Sequence, residues 1–350
     1  MYPPSEVTND ERLAGMLRCS VELLPILISK CFPFDDTLCF VRQKKVPKRN
    51  KKLGFRMVYK IDLTPIEYPI KAFKFYLNNL YEPLECVHGF VSGKNIVSNA
   101  TAHLSQDRVL NIDIENFFES IYLDKVSKSF ERFGFIPSIA HKLAKISTYE
   151  DRLVAGFPTS PTIANIVCID MDNAIMEFCR IRDLAYTRYA DDISISGKNV
   201  EVLKDVEAII NSFGFKLNNK KTRLFKKGQS QYVTGLTVSD YLFPRIPRRF
   251  KNRLRQRLYY MEKYSIFSHI EREYDCQNES ELLDYCRKEL NHIKGWIDFI
   301  HSIEPLLAKK YYFQYNKIHE VYQTRLKEYL EKYNAERGPV IKLKVLPDHE

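Results

Sequence analysis

The chain has 350 residues, of which 45% are hydrophobic and 13% aromatic, so a folded protein with a sizeable core is expected rather than a disordered one. Its formal net charge of +10 favours a polyanionic partner, either nucleic acid or an anionic membrane surface. The sequence has no apolar run near the roughly 18 residues of a membrane span and no secretory signal, and its eight scattered cysteines form no C-x-x-C pair, which predicts a cytoplasmic protein with reduced thiols.

The N-terminal third begins with a helix pattern and continues into a strongly basic segment. Residues 12–31 carry apolar side chains at helical spacing, which predicts one amphipathic helix. From Arg42 to Lys52 the chain contains seven Lys or Arg and no acid, followed by a strand through Arg56. This run is either a solvated hairpin tip or a basic flap over phosphates. A second amphipathic helix follows in "PIEYPIKAFKFYLNNLYEPL".

The stretch "RVLNIDIENFF", residues 108–118, alternates between two faces as a strand does. Leu110, Ile112 and Ile114 fall on one face, and Asp113 falls on the other. Asp113 therefore projects from a buried strand toward whatever lies opposite. The pattern predicts a helix from near Asn116 and further helices at 124–147 and 160–182.

Two adjacent carboxylates, Asp191 and Asp192, interrupt the β-rich stretch "TRYADDISIS". Asp pairs are common in turns, so a plain turn is one interpretation. Ile193 and Ile195 indicate a rigid, buried strand beside the pair, and Asp113 supplies a third carboxylate. Clustered carboxylates repel unless a cation lies between them, and oxygen ligands suit Mg²⁺ or Mn²⁺. Three such groups meet the demands of two-metal phosphoryl transfer.

After a helix at 200–213 and a returning segment, "FKLNNKKTRLF", the character of the chain changes. Strands around a carboxylate cluster with packed helices predict an α+β fold. From residue 244 to about 333 the sequence is helical and begins with a basic run, so we place a domain boundary near 241. Arg249, Arg253 and Arg257 recur at every fourth position and would share one helix face suited to a phosphate backbone. A solvated surface is the alternative.

Four motifs occur in the order typical of reverse transcriptases, and the chain resembles that family over roughly residues 40–240. The motifs are "NIDIENFF", "GFPTSPTIAN", "YADD" and "GFKLNNKKT". Three further segments resemble the retron group of bacterial reverse transcriptases: "SNATAHL", "YVTGLTVS" and the thumb-like "HIKGWIDFIHSIEP". The resemblance implies a right-hand polymerase fold. Fingers and palm would occupy 1–240, with the palm core at about 105–123 and 155–240, and a helical RNA-binding thumb would occupy 241–350.

The resemblance also implies roles for individual residues. Asp113, Asp191 and Asp192, with the carbonyl of Ile114, would hold two Mg²⁺ ions, or Mn²⁺. Lys221 matches the position that would protonate pyrophosphate, although a solvated lysine is the alternative.

Nucleotide binding is assigned by the same resemblance. Arg56 matches the residue that grips the triphosphate, with a partner among Lys48–Lys52, and Phe118 matches the gate against a ribose 2′-OH, with a core aromatic as the alternative. Ala155, Gly156 and Tyr189 would complete the dNTP site. The family usually has glutamine where this chain has Ala155, which puts nucleotide affinity and fidelity in question.

Specific RNA recognition is expected at two motifs, and general RNA binding at the basic run. The motif residues are Asn99 and His103, then Val233, Thr234 and Gly235; the basic residues are Arg248, Arg249, Arg253 and Arg257. A buried structural role is the alternative for Asn99 and His103. A strand and turn is the alternative for Val233–Gly235.

Retron membership implies RNA-templated DNA synthesis on a dedicated structured non-coding RNA. That RNA would act as primer and template, and synthesis from the 2′-OH of an internal guanosine would give a branched RNA–DNA product (msDNA). The resemblance further implies antiphage defence with a separately encoded effector protein and no membrane partner. A group II intron-like reverse transcriptase would use the same chemistry but normally carries segments beyond the thumb. A non-catalytic RNA-binding scaffold remains the alternative of another class, and Phe118 argues against an RNA-dependent RNA polymerase.

Overall fold

The protein is described by a computed structural model that covers residues 2–32, 35–48, 54–61 and 64–337. The predicted α+β fold class is confirmed: helices pack with antiparallel strands. The chain divides into two compact units. The N-terminal unit comprises Met1–Thr234 and Val238–Phe243, and the C-terminal unit comprises Gly235–Thr237 and Pro244–Glu350.

The helices of the N-terminal unit are α1 (Asp10–Leu17), α2 (Leu23–Ser29), α3 (Thr64–Leu80), α4 (Ile96–Thr101), α5 (Leu123–Arg132), α6 (Pro137–Ser147), α7 (Ser160–Val167), α8 (Ile169–Arg180) and α9 (Leu203–Ser212), preceded by a 3₁₀ turn at Pro4–Glu6. The C-terminal unit contains α10 (Arg248–Tyr264), α11 (Ile266–Glu273), α12 (Glu279–His301) and α13 (Pro305–Arg337).

The strands are β1 (Cys31–Phe32), β2 (Asp35–Cys39), β3 (Val41–Pro47), β4 (Phe55–Ile61), β5 (Arg108–Asp113), β6 (Ala185–Tyr189), β7 (Asp192–Gly197), β8 (Arg223–Lys226), β9 (Tyr232–Val233) and β10 (Leu236–Thr237). A four-stranded antiparallel sheet has the order β6-β7-β5-β8. Strands β1 and β2 form one hairpin, and β3 and β4 form another.

The two inner strands of the four-stranded sheet, β5 and β7, are held together by their apolar residues. Leu110 lies opposite Ile195 and Ile112 opposite Ile193, and all four side chains are buried. Burying an isoleucine or leucine contributes about 2 kcal/mol each. The register places Asp113 directly opposite Asp192. The hydrophobic pairing therefore brings the separated carboxylates to one end of the sheet.

Several predicted helices are interrupted in the structure. The helix expected over 12–31 is two helices, because Arg18 adopts a left-handed conformation (φ 56°) that ends α1. The segment 124–147 is broken after α5, where Gly134 (φ 97°) and Pro137 end one helix and start the next. No helix begins at Asn116, whose φ of 47° is incompatible with one, and 160–182 divides at Cys168.

The long helices of the C-terminal unit pair through a coiled-coil-like seam. Buried residues recur at alternating spacings of three and four in both helices: Leu283, Cys286, Leu290, Ile293, Ile297 and Ile300 in α12, and Ala308, Tyr311, Tyr315, Ile318 and Tyr322 in α13. The Tyr312 hydroxyl donates to Asp298 at 2.5 Å, and Arg325 pairs with Glu279 at 3.0 Å. These contacts define an antiparallel pair. In the part of the chain that is described, no helix is both long and apolar enough to cross a membrane.

Candidate active site

The two adjacent carboxylates lie at the tip of a tight hairpin. Strand β6 ends at Tyr189 and β7 begins at Asp192, so Ala190 and Asp191 form the turn, with Ala190 at φ 59°. The amide of Ile114 donates to the carbonyl of Asp191 at 3.0 Å, which ties the end of β5 to this turn. Asp113, Asp191 and Asp192 are thereby held together on backbone that the sheet fixes.

Proton affinities in this cluster reflect burial and mutual repulsion. Desolvation and the charges of Asp191 and Asp113 raise the pKa of Asp192 to about 7. Desolvation also raises the pKa of Asp191, with the charge of Asp113 adding to it. The site is therefore short of positive charge.

Lys221 supplies a cation directly at Asp113. Its Nζ donates to Asp113 Oδ2 at 2.7 Å. The lysine reaches this position because the amide of Asn218 donates to the Asp113 carbonyl, and the Lys221 amide donates to Asn218 in the same turn. Desolvation lowers the pKa of Lys221, but the hydrogen bond and the charges of the three aspartates outweigh it and leave the pKa above 10.5. Lys221 thus carries a proton at neutral pH.

These donors fit a hard divalent cation in kind. Three carboxylates whose charges act on one another are the oxygen ligands that Mg²⁺ prefers, and Mg²⁺ normally uses one or two carboxylates together with waters and substrate phosphates. Within the ranges described, no group of three or more His, Cys, Asp or Glu side chains is placed so that together they could hold a metal ion. Ile114, predicted to contribute its carbonyl, adjoins Asp113 with its side chain buried. An open site completed by a nucleotide is consistent with this arrangement.

The hairpin β3–β4 brings a guanidinium toward the carboxylates. Arg56 is exposed on β4, and its positive charge acts to lower the pKa of Asp191. Its proposed partner segment lies largely outside the described residues, which include Lys48 but not 49–53. Arg56 is thus a basic side chain of this hairpin whose charge stabilises the ionised form of Asp191.

The segment "LVAG", residues 153–156, is attached to β4 through its backbone. The amide of Tyr59 donates to the carbonyl of Ala155 at 2.8 Å. Gly156 has φ 111°, and a Cβ there would lie 2.3 Å from the Tyr59 carbonyl oxygen, so only glycine fits. The replacement of the family's glutamine by Ala155 removes a side-chain amide but leaves this backbone attachment in place.

Phe118 and Tyr189, the two aromatic residues predicted to contact the nucleotide, are both half-buried. Phe118 follows the left-handed Asn116, and its ring centroid is 5.4 Å from Phe117 and 6.3 Å from Phe90. Tyr189 is paired with Asp192. Phe118 is therefore partly accessible, as both a sugar gate and a packing residue at the surface would be.

A buried network beneath the hairpin turn was not anticipated from the sequence. Arg188 and Asp172 are fully buried and form a bidentate ion pair at 2.6 and 2.8 Å. The same guanidinium donates to the Ala190 carbonyl and to Asn165, both at 3.1 Å, and Tyr186 donates to Asp172 at 2.6 Å. The network anchors the residue before Asp191. Arg188, a charged residue in the otherwise uncharged strand before the aspartate pair, is the feature of the sequence that could have indicated this buried ion pair.

The N-A-x-x-H residues lie in the interior. His103 is 0% exposed, and its two ring nitrogens contact Ser196 Oγ at 2.6 Å and Thr187 Oγ1 at 2.8 Å. This placement agrees with the structural alternative for His103, because the buried imidazole joins β6 to β7, and a role in RNA recognition stays a prediction. Asn99 is 1% exposed, and neither of its amide atoms has a partner in the described structure.

The V-T-G residues lie partly against α4. Val233 is fully buried, and Thr234 donates through Oγ1 to the carbonyl of Ile96 at 3.1 Å. Thr234 and Gly235 both have positive φ, 45° and 84°. Thr234 therefore lies against the helix that carries Asn99.

The exposed basic face of α10 contains fewer of the predicted RNA-binding arginines than the sequence indicated, because one of them is paired with acids. Arg248, Arg249 and Arg253 are exposed, but Arg257 pairs with Glu289 and has Glu273 at 3.9 Å. Acids distant in sequence cannot be seen from the run itself. The Arg257 charge is already neutralised, so the exposed basic face consists of Arg248, Arg249, Arg253 and Arg255.

Comparison with known proteins identifies the family. The profile of the family described as "Reverse transcriptase (RNA-dependent DNA polymerase)" matches residues 46–265. The chain is 30% identical to the retron Ec86 reverse transcriptase of Escherichia coli, over 90% of this chain and 91% of that protein. This chain belongs to the reverse transcriptase family. It is also 27% identical to the retron Mx162 reverse transcriptase of Myxococcus xanthus, over 90% of this chain and 68% of that protein.

These relatives place the enzyme among bacterial retron reverse transcriptases, which are RNA-directed DNA polymerases. Among solved structures, telomerase from Candida albicans in complex with a fragment of telomeric RNA is 12% identical, with a TM-score of 0.43 over 81% of this chain and 60% of that one.

Proposed function

We propose that this reverse transcriptase makes a branched RNA–DNA from a dedicated structured RNA, which serves as both primer and template. Synthesis would start from the 2′-OH of an internal guanosine, and the product would act in antiphage defence with a separately encoded effector. The similarity to retron enzymes across nearly the full length of the chain supports this reading.

The observation that carries the chemistry is the cluster of Asp113, Asp191 and Asp192 beside Lys221. Two bound Mg²⁺ ions would supply a lowered pKa for the attacking hydroxyl and charge stabilisation for the leaving pyrophosphate. The three aspartates would hold the ions. Lys221 holds a proton at Nζ close to the cluster and is suited to donate it to the leaving pyrophosphate.

Nucleotide selection is proposed for the residues around the cluster. Arg56 would bind the triphosphate, Phe118 would exclude a ribose 2′-OH, and Tyr189 with the Ala155–Gly156 backbone would complete the pocket. The docking of Ala155 on β4 supports a pocket wall built from backbone rather than from the missing glutamine side chain.

RNA recognition is proposed at two places. Thr234 and Gly235 would read the cognate RNA at the turn beside α4, and Asn99, whose amide is buried on that helix without a partner, would support this turn rather than contact RNA. The exposed arginines of α10 would bind phosphates, which orients RNA but carries little sequence information.

Substitution of Asp191 tests the proposed chemistry. Asp191→Asn keeps the shape but removes a charge needed for the cations, so Mg²⁺-dependent primer extension should fall by at least about a hundredfold. RNA binding, measured by titration, should stay near wild type. Near-normal extension by the variant would refute the two-metal assignment. Asp205→Asn serves as the control, because Asp205 is exposed on α9 and has no proposed role in catalysis, so this variant should extend primers normally.

A further inference from the structure

Two cavities lie on either side of Tyr260 in the C-terminal unit. The first, of about 350 Å³, is lined by Arg255, Gln256, Tyr259, Tyr260, Lys310 and Gln314. The second, of about 470 Å³, lies between α10 and α11 and has Tyr260, Tyr264, His269 and Arg272 among its walls. One aromatic side chain thus forms a wall of both cavities.

The tyrosines around these cavities are exposed, although tyrosine rings carry a large apolar surface. Tyr259, Tyr260 and Tyr264 are 51%, 41% and 45% exposed. The rings of Tyr260 and Tyr264 stack at 6.1 Å with 23° between their planes. Exposed aromatic surface of this kind marks an interaction site more often than a scattered single residue does.

Cations surround the exposed rings. Lys263 Nζ lies 5.1 Å from the centroid of the Tyr264 ring, and the Arg272 guanidinium lies 5.7 Å from the same centroid. Arg255 and Lys310 line the first cavity. This combination of π faces and positive charge suits an anionic ligand with flat aromatic parts.

Each cavity also has a polar atom without a partner. Gln314 Nε2 donates to Glu262 at 3.0 Å, but Gln314 Oε1 is buried and accepts no hydrogen bond. In the second cavity His269 Nε2 is buried without a hydrogen-bond partner, and Glu273 is 3.6 Å away. Leaving such groups unsatisfied costs free energy, which a ligand with hydrogen-bonding groups would recover.

We infer that Tyr260 and the two cavities beside it bind unpaired nucleotides of an RNA, stacking bases on Tyr259, Tyr260 and Tyr264 while Arg255 and Lys310 contact phosphates. Gln314 Oε1 would accept from a ribose 2′-OH, which is why the surface is assigned to RNA. The inference deepens, and rests on, the proposed RNA handling by the C-terminal unit. It adds a stacking site for single strands to the phosphate contacts of the exposed arginines.

The test uses the full-length chain and a fluorescein-labelled single-stranded oligo(A) RNA, with a blunt RNA duplex as the comparison ligand. Tyr260→Leu should weaken single-strand binding roughly ten- to hundredfold, as loss of base stacking does elsewhere, and should weaken duplex binding far less. Tyr260→Phe keeps the ring and should retain most of the affinity. Thermal unfolding of each variant confirms that it folds.

Tyr274→Leu is the matched control, since Tyr274 is 42% exposed, stacks on Tyr285 and lines neither cavity. Equal losses in Tyr260→Leu and Tyr274→Leu, or equal losses for single strand and duplex, would overturn the stacking site. Equal affinity for oligo(dA) would overturn the assignment to RNA. Mg²⁺-dependent extension by the wild type is measured separately, because its absence would refute the proposed function without altering the binding result.

Discussion

Ionised Asp192 lowers the stability of the folded protein, because its carboxylate is buried beside two others. In the folded protein its pKa is raised to about 7 by desolvation and by the neighbouring carboxylates. An aspartate in the unfolded chain has a pKa of about 4, so the free energy of unfolding falls as the pH rises from about 4 to about 7 and Asp192 ionises. A folded protein tolerates such a cost where a ligand removes it, and a bound cation would do so here.

Phe118 makes a residue-scale prediction about sugar selection. Phe118→Ala should admit ribonucleotides, because removing the ring opens space for a 2′-OH, and the dNTP-to-rNTP ratio of kcat/KM should fall at least about tenfold. Its neighbour Phe117, which is 4% exposed, provides the control. Phe117→Leu should lower the melting temperature and keep the ratio. An unchanged ratio in Phe118→Ala would assign that ring to packing alone.

Asn99 makes a second prediction, in which stability and activity change in opposite directions. Its amide is buried without partners, so Asn99→Leu should stabilise the RNA-free protein by about 1–3 kcal/mol while reducing synthesis on the cognate RNA. Asn165, also 1% exposed, donates to the Gly89 carbonyl and accepts from Arg188. Asn165→Leu should therefore destabilise the protein. Denaturant unfolding measures both, and a destabilised Asn99→Leu would contradict the prediction.

At the scale of elements, the sequence predicts the strands of the site better than the helices around it. Strand β5 and the Asp191 hairpin follow from two-residue alternation, which one-sided burial enforces. Where helices end or fail to start depends on single backbone conformations such as those of Arg18 and Asn116; arginine does not mark a left-handed position, and asparagine is enriched there but occurs far more often elsewhere. The interior position of His103 is not visible from sequence either, because Thr187 and Ser196 become its partners only when the sheet forms.

The network under the β6–β7 turn makes an element-scale prediction. Arg188→Met leaves the Asp172 carboxylate buried and unpaired, which should cost about 3–5 kcal/mol. Adding Asp172→Leu replaces the pair by apolar side chains and should recover much of that stability. DNA synthesis should stay low in the double variant, since the guanidinium that donates to the Ala190 carbonyl, directly before Asp191, is then missing.

A matched change at another buried polar contact of the hairpin, that of His103, separates an effect on folding from an effect on the position of Asp191. His103→Gln perturbs β6 and β7 away from the turn, so its activity should follow its stability. The midpoint of the Mg²⁺ titration in primer extension should shift for the Arg188→Met/Asp172→Leu variant and stay constant for His103→Gln. A double variant that is stable and fully active would show that the network serves folding alone.

For the whole molecule, the net charge does not show which basic residues are available to bind nucleic acid. The chain carries +10, yet several cations in the α10 region are already paired with acids distant in sequence. Lys251 bonds Glu304 at 3.2 and 3.3 Å, and Arg257 pairs with Glu289. Arg248 and Arg253 of the same helix are exposed. A count of basic residues along the sequence therefore overstates the charge presented to RNA.

The salt dependence of RNA binding distinguishes the exposed arginines from the cations that are already paired with acids in the intact enzyme. Each phosphate contact contributes about 0.7–0.9 to the slope of log Kd against log salt concentration. Arg248→Gln with Arg253→Gln should weaken binding to any structured RNA and reduce the slope by about 1.4–1.8. Lys251→Gln removes one charge that already faces Glu304, so the slope should stay within error of wild type. Titrations on cognate and arbitrary RNA hairpins should show the same change, since phosphate contacts carry little sequence information. A slope that falls equally in both variants would mean that overall charge, rather than the exposed arginines, governs the interaction.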